Sequence, residues 1–264
     1  VSERQHVPGG PVARGARGRV DRWVARRYVA WATPRARAFR VVNAGEMRPL
    51  LESWGVPREQ VLVLPSLYID LGIFRPPAAP LAPAQDLVFV GRMVANKGLE
   101  RIVEALALLR ARGLALTALF VGKGPCLART RRAVADHGLA GAVRFEEWIA
   151  SPEALAEVYR RSRALVCAST CEGGPRVTVE AMACGTPCVS TPVGMMKELL
   201  VDGLNGCLAG FDAASLAAAI ERLLADEPRR AAMGARALEA AQAFEQARVI
   251  RAYAEGLKRL VGCA

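Results

Sequence analysis

Residues 171–185 read C-E-G-G-P-R-V-T-V-E-A-M-A-C-G. Gly173 and Gly174 form a turn, and Pro175 opens an apolar pattern of helical period. Proline is favoured at the first position of a helix, where its missing N–H would be unpaired in any case. The spacing therefore predicts a helix starting at Pro175, fed by the glycine turn. The first N–H groups of a helix are unpaired and lie at the positive end of its dipole. Glycines let an anion or a sugar come close to that backbone. Glu172 falls in the turn and Glu180 on the second helical turn, one carboxylate on each side of the backbone pocket. Carboxylates accept hydrogen bonds from sugar or ribose hydroxyls. The chemistry suggested is a sugar nucleotide held by backbone, base and acid together.

Upstream of this stretch, 164–168 is a short, almost wholly apolar run, and the same strand-then-helix alternation recurs along the chain. Strands are expected at 87–90, 116–121, 143–145, 164–168 and 186–190, with a brief extended piece at 206–208. Helices are expected at 98–112, 127–137, 152–161 and 195–201, from Asp212 as N-cap to 224, and over 227–243 and 246–261. Leu99, Ile102, Val103, Leu106 and Leu109 share one face of the first of these helices. Nearly all-apolar strands alternating with helices predict an α/β fold with a parallel sheet covered on both faces. Ligands bind beyond the carboxyl ends of such strands. Gly91, Gly122/Gly124 and Gly173/Gly174 all follow strands, so the three turns should converge on one edge.

Two of those turns carry further chemistry. G-R-M-V-A-N-K-G at 91–98 places Arg92 at a strand end and Lys97 just before a helix, which suits a diphosphate. The spacing is not that of a Walker A loop. G-K-G-P-C-L at 122–127 imitates a dinucleotide fingerprint, but Leu127 stands at the third glycine position and Pro125 interrupts the turn. That disfavours a dehydrogenase and leaves a turn lining a nucleotide pocket.

Before residue 71 the pattern is less regular. Residues 1–17 read as loop, and 18–33 as a helix in which Val20, Trp23, Val24, Tyr28 and Trp31 repeat at helical spacing. Ordinary packing of this stripe on a sheet is favoured over contact with a membrane interface. Strands are expected at 38–43 and 60–64 with a short helix at 46–54 between them, and 71–85 contains four prolines and reads as a linker.

Composition bounds the function classes. The chain has 264 residues, 52% of them hydrophobic, which is enough for a full core. The net charge is +11, yet 32 of the 36 cationic side chains are arginine, a skew that points to coding bias more than to a nucleic-acid-binding patch. Seven cysteines, an odd number, sit mostly in apolar segments and read as buried thiols; the C-x3-C pairs Cys167/Cys171 and Cys184/Cys188 do not form a compact zinc knuckle. His6 and His137 are isolated, so no histidine-based triad is available. A hydrolase-type pairing of Glu172 and Glu180 is less suited to a helix start than ligand holding is.

Taken together, G-R-x4-K-G at 91–98, G-x-G-P at 122–125, E-G-G-P-R-V-T-V-E-A-M-A-C-G-T-P at 172–187 and the following T-P-V-G-M-M-K-E-L-L-V-D-G-L-N-G resemble the C-terminal domain of the family 4 retaining glycosyltransferases. That resemblance covers roughly 38–260 and implies a GT-B fold of two facing Rossmann-like domains. It implies the last part of an N-terminal, acceptor-side domain at 1–66, a Pro-rich linker at 67–85, a C-terminal donor domain at 86–243, and a helix at 244–264 crossing back. Arg92 and Lys97 would neutralise the donor diphosphate, and Glu172 would hold sugar hydroxyls. Backbone near Gly173, Gly174, Pro175, Arg176 and Val177 would meet sugar or phosphate, and Glu180 would hold the ribose. The base would lie near Gly122 and the 147–149 turn with Trp148 and Ile149, and Gly91 and Gly124 would also meet the substrate. No metal or other cofactor is implied.

The family's glycine-rich loop and acceptor-side histidine would precede Val1; V-S-E-R-Q-H at 1–6 looks like the tail of a later strand, so His6 is not that histidine. The expected activity is transfer of a hexose-type sugar, with retention, to a glycan or lipid-linked acceptor in surface polysaccharide or glycolipid assembly, in the cytoplasm or peripherally on the inner, anionic face of a membrane. The chain alone is expected to bind nucleotide weakly and to transfer little sugar. The alternatives are a non-catalytic sugar-nucleotide-binding module or subunit, and a GT-B phosphorylase or epimerase. No nucleic-acid partner is expected.

Overall fold

The computed structural model describes residues 16–64 and 67–262, so the readings made for 1–15, including His6, lie outside the described residues. Six strands form one all-parallel sheet: β3 (Gln85–Val90), β4 (Ala118–Val121), β5 (Val143–Glu146), β6 (Ser162–Cys167), β7 (Cys188–Ser190) and β8 (Gly206–Leu208). Their order is β5-β4-β3-β6-β7-β8. The chain thus runs outward from β3 in one direction, returns, and runs outward from β6 in the other. The switch point lies between β3 and β6, where a parallel sheet opens a crevice at its carboxyl edge.

Each strand feeds both layers, because alternate residues face opposite sides. Leu87, Phe89, Phe120, Ala164 and Val166 pack with α3 (Leu99–Ala111), α4 (Leu127–Asp136) and α8 (Ala213–Leu224). Val88, Leu119, Val121 and Leu165 pack with α5 (Pro152–Arg160), α6 (Arg176–Ala183) and α9 (Glu227–Ala241). All five apolar residues expected on one face of α3 are buried. Asp212 caps α8 by accepting from the Ser215 N–H at 2.7 Å, and Ser151 caps α5 by accepting from the Ala154 N–H at 3.2 Å.

A smaller unit precedes the sheet: α1 (Ala16–Ala32), β1 (Phe39–Val41), α2 (Met47–Ser53) and β2 (Val61–Val63). Strands β1 and β2 pair in parallel, and Val29, Val41, Leu51, Val56 and Val61 form their core. Here one expectation fails. Val20, Trp23, Val24, Tyr28 and Trp31 are each more than half exposed, and α1 packs instead through Ala25, Val29 and Ala32. Of these, Val29 joins the core of the small unit, which leaves the aromatic stripe outside it.

Two connections join the units and meet each other. The Ile69 N–H donates to the Phe244 carbonyl at 2.9 Å, and Ile69 bridges Glu245. After this bridge, α7 (Met196–Leu199) having already been laid beside the small unit, the chain ends in α10 (Gln246–Val261). Helix α10 returns to the small unit, where a Cβ on Gly256 would lie 2.6 Å from the Leu64 side chain and Arg40 stacks 5.2 Å from the Tyr253 ring.

Candidate functional site

The three glycine turns converge on the carboxyl edge at the switch point. A Cβ on Gly122 would stand 2.0 Å from the Gly91 carbonyl oxygen, and one on Gly124 would stand 2.5 Å from that of Met93. Gly122 has φ +133° and Gly124 φ +155°. The loop after β3 is in turn tied to the loop after β6: the Thr170 N–H donates to the Asn96 carbonyl at 2.8 Å, and the Asn96 amide donates to the Cys171 carbonyl at 3.1 Å. The turns thus touch through backbone, and side chains at these glycines would force them apart.

A cavity of about 600 Å³ opens beside this junction. Gly91, Arg92, Gly122, Trp148, Ile149, Arg176 and Glu180 line it, all of them anticipated from sequence. Glu147, from the 147–149 turn expected at the base, also lines it, and Phe74, Val90, Val121, Lys123, Leu155 and the 150–152 turn complete its walls without having been anticipated. Apolar walls with a few polar groups are what a nucleoside needs. Arg92 and Lys123 are exposed at the rim, and Trp148 is 75% exposed.

Glu180 is the buried carboxylate of this cavity, and Glu147 is an exposed one. The Tyr159 hydroxyl donates to its Oε2 at 3.0 Å, and Arg176 Nε lies 3.2 Å from its Oε1. Burial raises the Glu180 carboxyl above its ordinary pKa, while Tyr159 and Arg176 pull it back. Burial and the Glu180 charge push the Tyr159 phenol well up. Arg176 is itself anchored, donating to the Tyr68 carbonyl at 2.8 Å and lying 5.2 Å from the Tyr68 ring.

Lys97, Glu172, Gly124, Gly173, Gly174, Pro175 and Val177 do not line this cavity. Lys97 forms an ion pair with Glu172, whose Oε1 also accepts from Ser169 Oγ at 2.8 Å. The two residues expected to meet phosphate and sugar separately thus meet each other, in a side chain pair 18% and 11% exposed. Helix α6 begins at Arg176, with Pro175 as the residue before it, so the expected start is one residue early. At φ −70° and ψ +105° Pro175 is extended, and the amides of Arg176 and Val177 open the helix. The two glutamates consequently lie at separate places: Glu180 in the cavity, Glu172 with Lys97.

The turn itself is tightly enclosed. A Cβ on Gly194 would lie 2.2 Å from the Glu172 carbonyl, and one on Gly174 would lie 2.5 Å from Met195 Sδ. Among the described residues no group of three or more histidine, cysteine or acidic side chains is placed to hold a metal ion. Of the cysteines expected to be buried thiols, Cys167, Cys171, Cys184, Cys188 and Cys207 are buried and Cys126 is half-buried; Cys263 lies outside the described residues. Burial pushes the Cys184 thiol up to about 12.

Comparison with known proteins places this geometry. The model of the family described as "Glycosyl transferases group 1" matches residues 79–240. A D-inositol 3-phosphate glycosyltransferase of Nocardia farcinica is 35% identical over 240 residues, covering 84% of this chain and 52% of the relative. The protein of the same name from Thermobispora bispora is 34% identical, with 81% and 55% covered. The chain therefore spans about half the length of the curated relatives it matches. Among solved structures, Anabaena HepE in complex with UDP and glucose superposes with a TM-score of 0.77 at 22% identity, covering 89% of this chain and 66% of that one. Sucrose-phosphate synthase from Thermosynechococcus elongatus superposes with a TM-score of 0.71 at 28% identity, covering 85% and 58%. The α/β fold of these two structures is the GT-B fold expected from the sequence motifs.

Proposed function

The chain belongs to the group 1 glycosyl transferases, and from that premise we propose that it forms the donor half of an enzyme moving a sugar from a nucleotide-diphosphate sugar to an acceptor. One observation carries this reading. A cavity of about 600 Å³ with apolar walls and one buried carboxylate adjoins the switch-point turns that bear Arg92 and Lys97. The cavity suits a base and ribose, with Glu180 accepting from ribose hydroxyls and Trp148 and Ile149 beside the base. Gly91, Gly122 and Gly124 let the nucleotide approach the backbone.

Breaking the sugar–phosphate bond moves negative charge onto the departing diphosphate. Arg92, Lys97 and the first amides of α6, near Gly174–Val177 in sequence, are the fixed positive groups this reading aims at that charge. Removal of one such group typically costs about 10²-fold in rate. Glu172 holds sugar hydroxyls, and no metal ion is called for. Retention of configuration follows the family resemblance. The curated relatives are named for D-inositol 3-phosphate, so an inositol phosphate is the first acceptor to test, before glycan and lipid-linked acceptors of surface polysaccharide synthesis.

Calorimetry of the chain with UDP, GDP and ADP tests the donor assignment. One of the three should bind, and more weakly to Lys97→Ala. Undiminished affinity in that variant would remove Lys97 from the phosphate site, and no binding by any of the three would overturn the reading.

A peripheral contact with an anionic membrane extends this proposal. No described helix is long and apolar enough to cross a membrane. Helix α1, however, exposes Trp23, Tyr28 and Trp31 beside Arg19, Arg22, Arg26 and Arg27, a composition suited to a charged lipid interface. Flotation with phosphatidylglycerol vesicles should recover the chain, and the double variant Trp23→Ala/Trp31→Ala should stay behind. Equal recovery with neutral phosphatidylcholine vesicles would refute an electrostatic contact.

A further inference from the structure

The small unit reaches into the glycine turn through one short loop, residues 43–46. Asn43 is 3% exposed, and its side chain has three partners. Its Oδ1 accepts the N–H groups of Glu46 and Met47, each at 3.0 Å, which fixes the amide orientation. Its Nδ2 consequently points outward and donates to the Gly173 carbonyl at 3.3 Å. That same carbonyl accepts the Met195 N–H at 3.1 Å from the donor domain. Gly173 is thus held from both units at one atom.

Two further contacts fasten the same loop. The Gly45 N–H donates to Glu198 Oε1 at 2.5 Å, and a Cβ on Gly45 would lie 2.6 Å from that oxygen. Lys197 Nζ lies 2.7 Å from Glu46 Oε1, and the Glu46 side chain is only 8% exposed. Lys197 and Glu198 lie two and three residues after Met195, so the 43–46 loop holds the turn that carries Glu172 and Gly174 both at Gly173 and beside Met195.

We propose that Asn43 is a positioning residue for the sugar part of the donor: it holds the Glu172–Gly174 turn from the small unit, with the Gly45–Glu198 and Glu46–Lys197 contacts keeping it there. This rests on the donor reading above and deepens it. The nucleoside cavity does not include residues 43–46 or 172–174, so Asn43 acts on the sugar end alone.

The chain itself serves for the test, as wild type and as Asn43→Ala, with Glu46→Gln as a second variant that keeps the shape of the loop. Without ligand, amide hydrogen exchange is measured at Glu172–Gly174. Both variants should exchange faster there, while exchange in β3 and β4 stays at the wild-type level. With ligand, calorimetry compares UDP with UDP-glucose, and GDP or ADP with their glucose conjugates if those nucleotides bind instead. Asn43→Ala should lose about fivefold in affinity for the sugar nucleotide, the scale of one hydrogen bond, with the free nucleotide unchanged. Unaltered exchange at the turn, or an equal change in both affinities, overturns the proposal. If the wild type binds no nucleotide the donor reading fails, and the exchange measurement still decides whether Asn43 holds the turn.

Discussion

Tyr159 and Glu180 are joined by a hydrogen bond of 3.0 Å between two buried side chains. The pair explains how a carboxylate persists in an apolar cavity: the phenol solvates it from one side and Arg176 from the other. It also sets a cost, because burial raises the Glu180 pKa despite both partners.

That cost has a sign. A carboxyl whose folded pKa lies above its unfolded value binds more protons in the folded state, so its contribution to stability is full below the unfolded value and is lost as pH rises through the folded one. Thermal melting of Glu180→Gln should therefore show a flatter pH dependence above about pH 4.5 and no loss of melting temperature at pH 7. The same variant should bind UDP more weakly in calorimetry. A lower melting temperature at pH 7 together with unchanged affinity would make Glu180 structural.

The ion pair of Lys97 with Glu172 gives a prediction of the opposite kind. Replacing Glu172 by Gln removes the charge that competes with phosphate for Lys97. UDP should bind about fivefold more tightly, near 1 kcal/mol, while the added affinity contributed by a sugar on the nucleotide shrinks. Weaker UDP binding would mean that Glu172 chiefly orients Lys97.

Gly122 cannot carry a side chain where it stands, since the Gly91 carbonyl would lie 2.0 Å from the new Cβ and φ is +133°. Gly122→Ala should cost about 1–3 kcal/mol of stability, read by chemical denaturation. Gly113→Ala is the control: its φ is +88°, but nothing lies within 4 Å of its Cβ, so it feels backbone strain alone. Equal losses in the two variants would show that the approach to Gly91 contributes nothing.

The sheet was legible because its strands are short apolar runs and its turns end in glycine. Leu87–Val90 and Leu165 announce themselves by composition, and the two parallel faces follow. The cavity was half legible. Glu180 and Gly122 belong to motifs and Trp148 follows from the family resemblance, whereas Phe74 comes from the Pro-rich stretch and Tyr159, which donates to Glu180 without lining the cavity, from a helix with no glycine beside it. Nothing local marks either residue, since only the fold brings them to Glu180. The Lys97–Glu172 pair joins positions 75 residues apart, and each residue read alone has a different ligand. Asn43 was hidden by its ordinariness: the sequence places it only as the last residue of the 38–43 strand, and its bonds to Glu46, Met47 and Gly173 come from the fold. The α1 stripe misled because periodicity gives the face of a helix but not which face docks, and Ala25, Val29 and Ala32 decided that.

The bond from the Ile69 N–H to the Phe244 carbonyl has a consequence for the covalent chain. The polypeptide crosses between its two bodies twice, outbound near residue 69 and homeward near residue 245, and the crossings are laced side by side. A single protease cut within 75–84 would therefore leave both pieces attached, because α10 remains continuous with the donor domain and lies against Leu64. A second cut, beyond residue 245, would leave the small unit held by the 43–46 loop and by Ile69 and Phe74 alone.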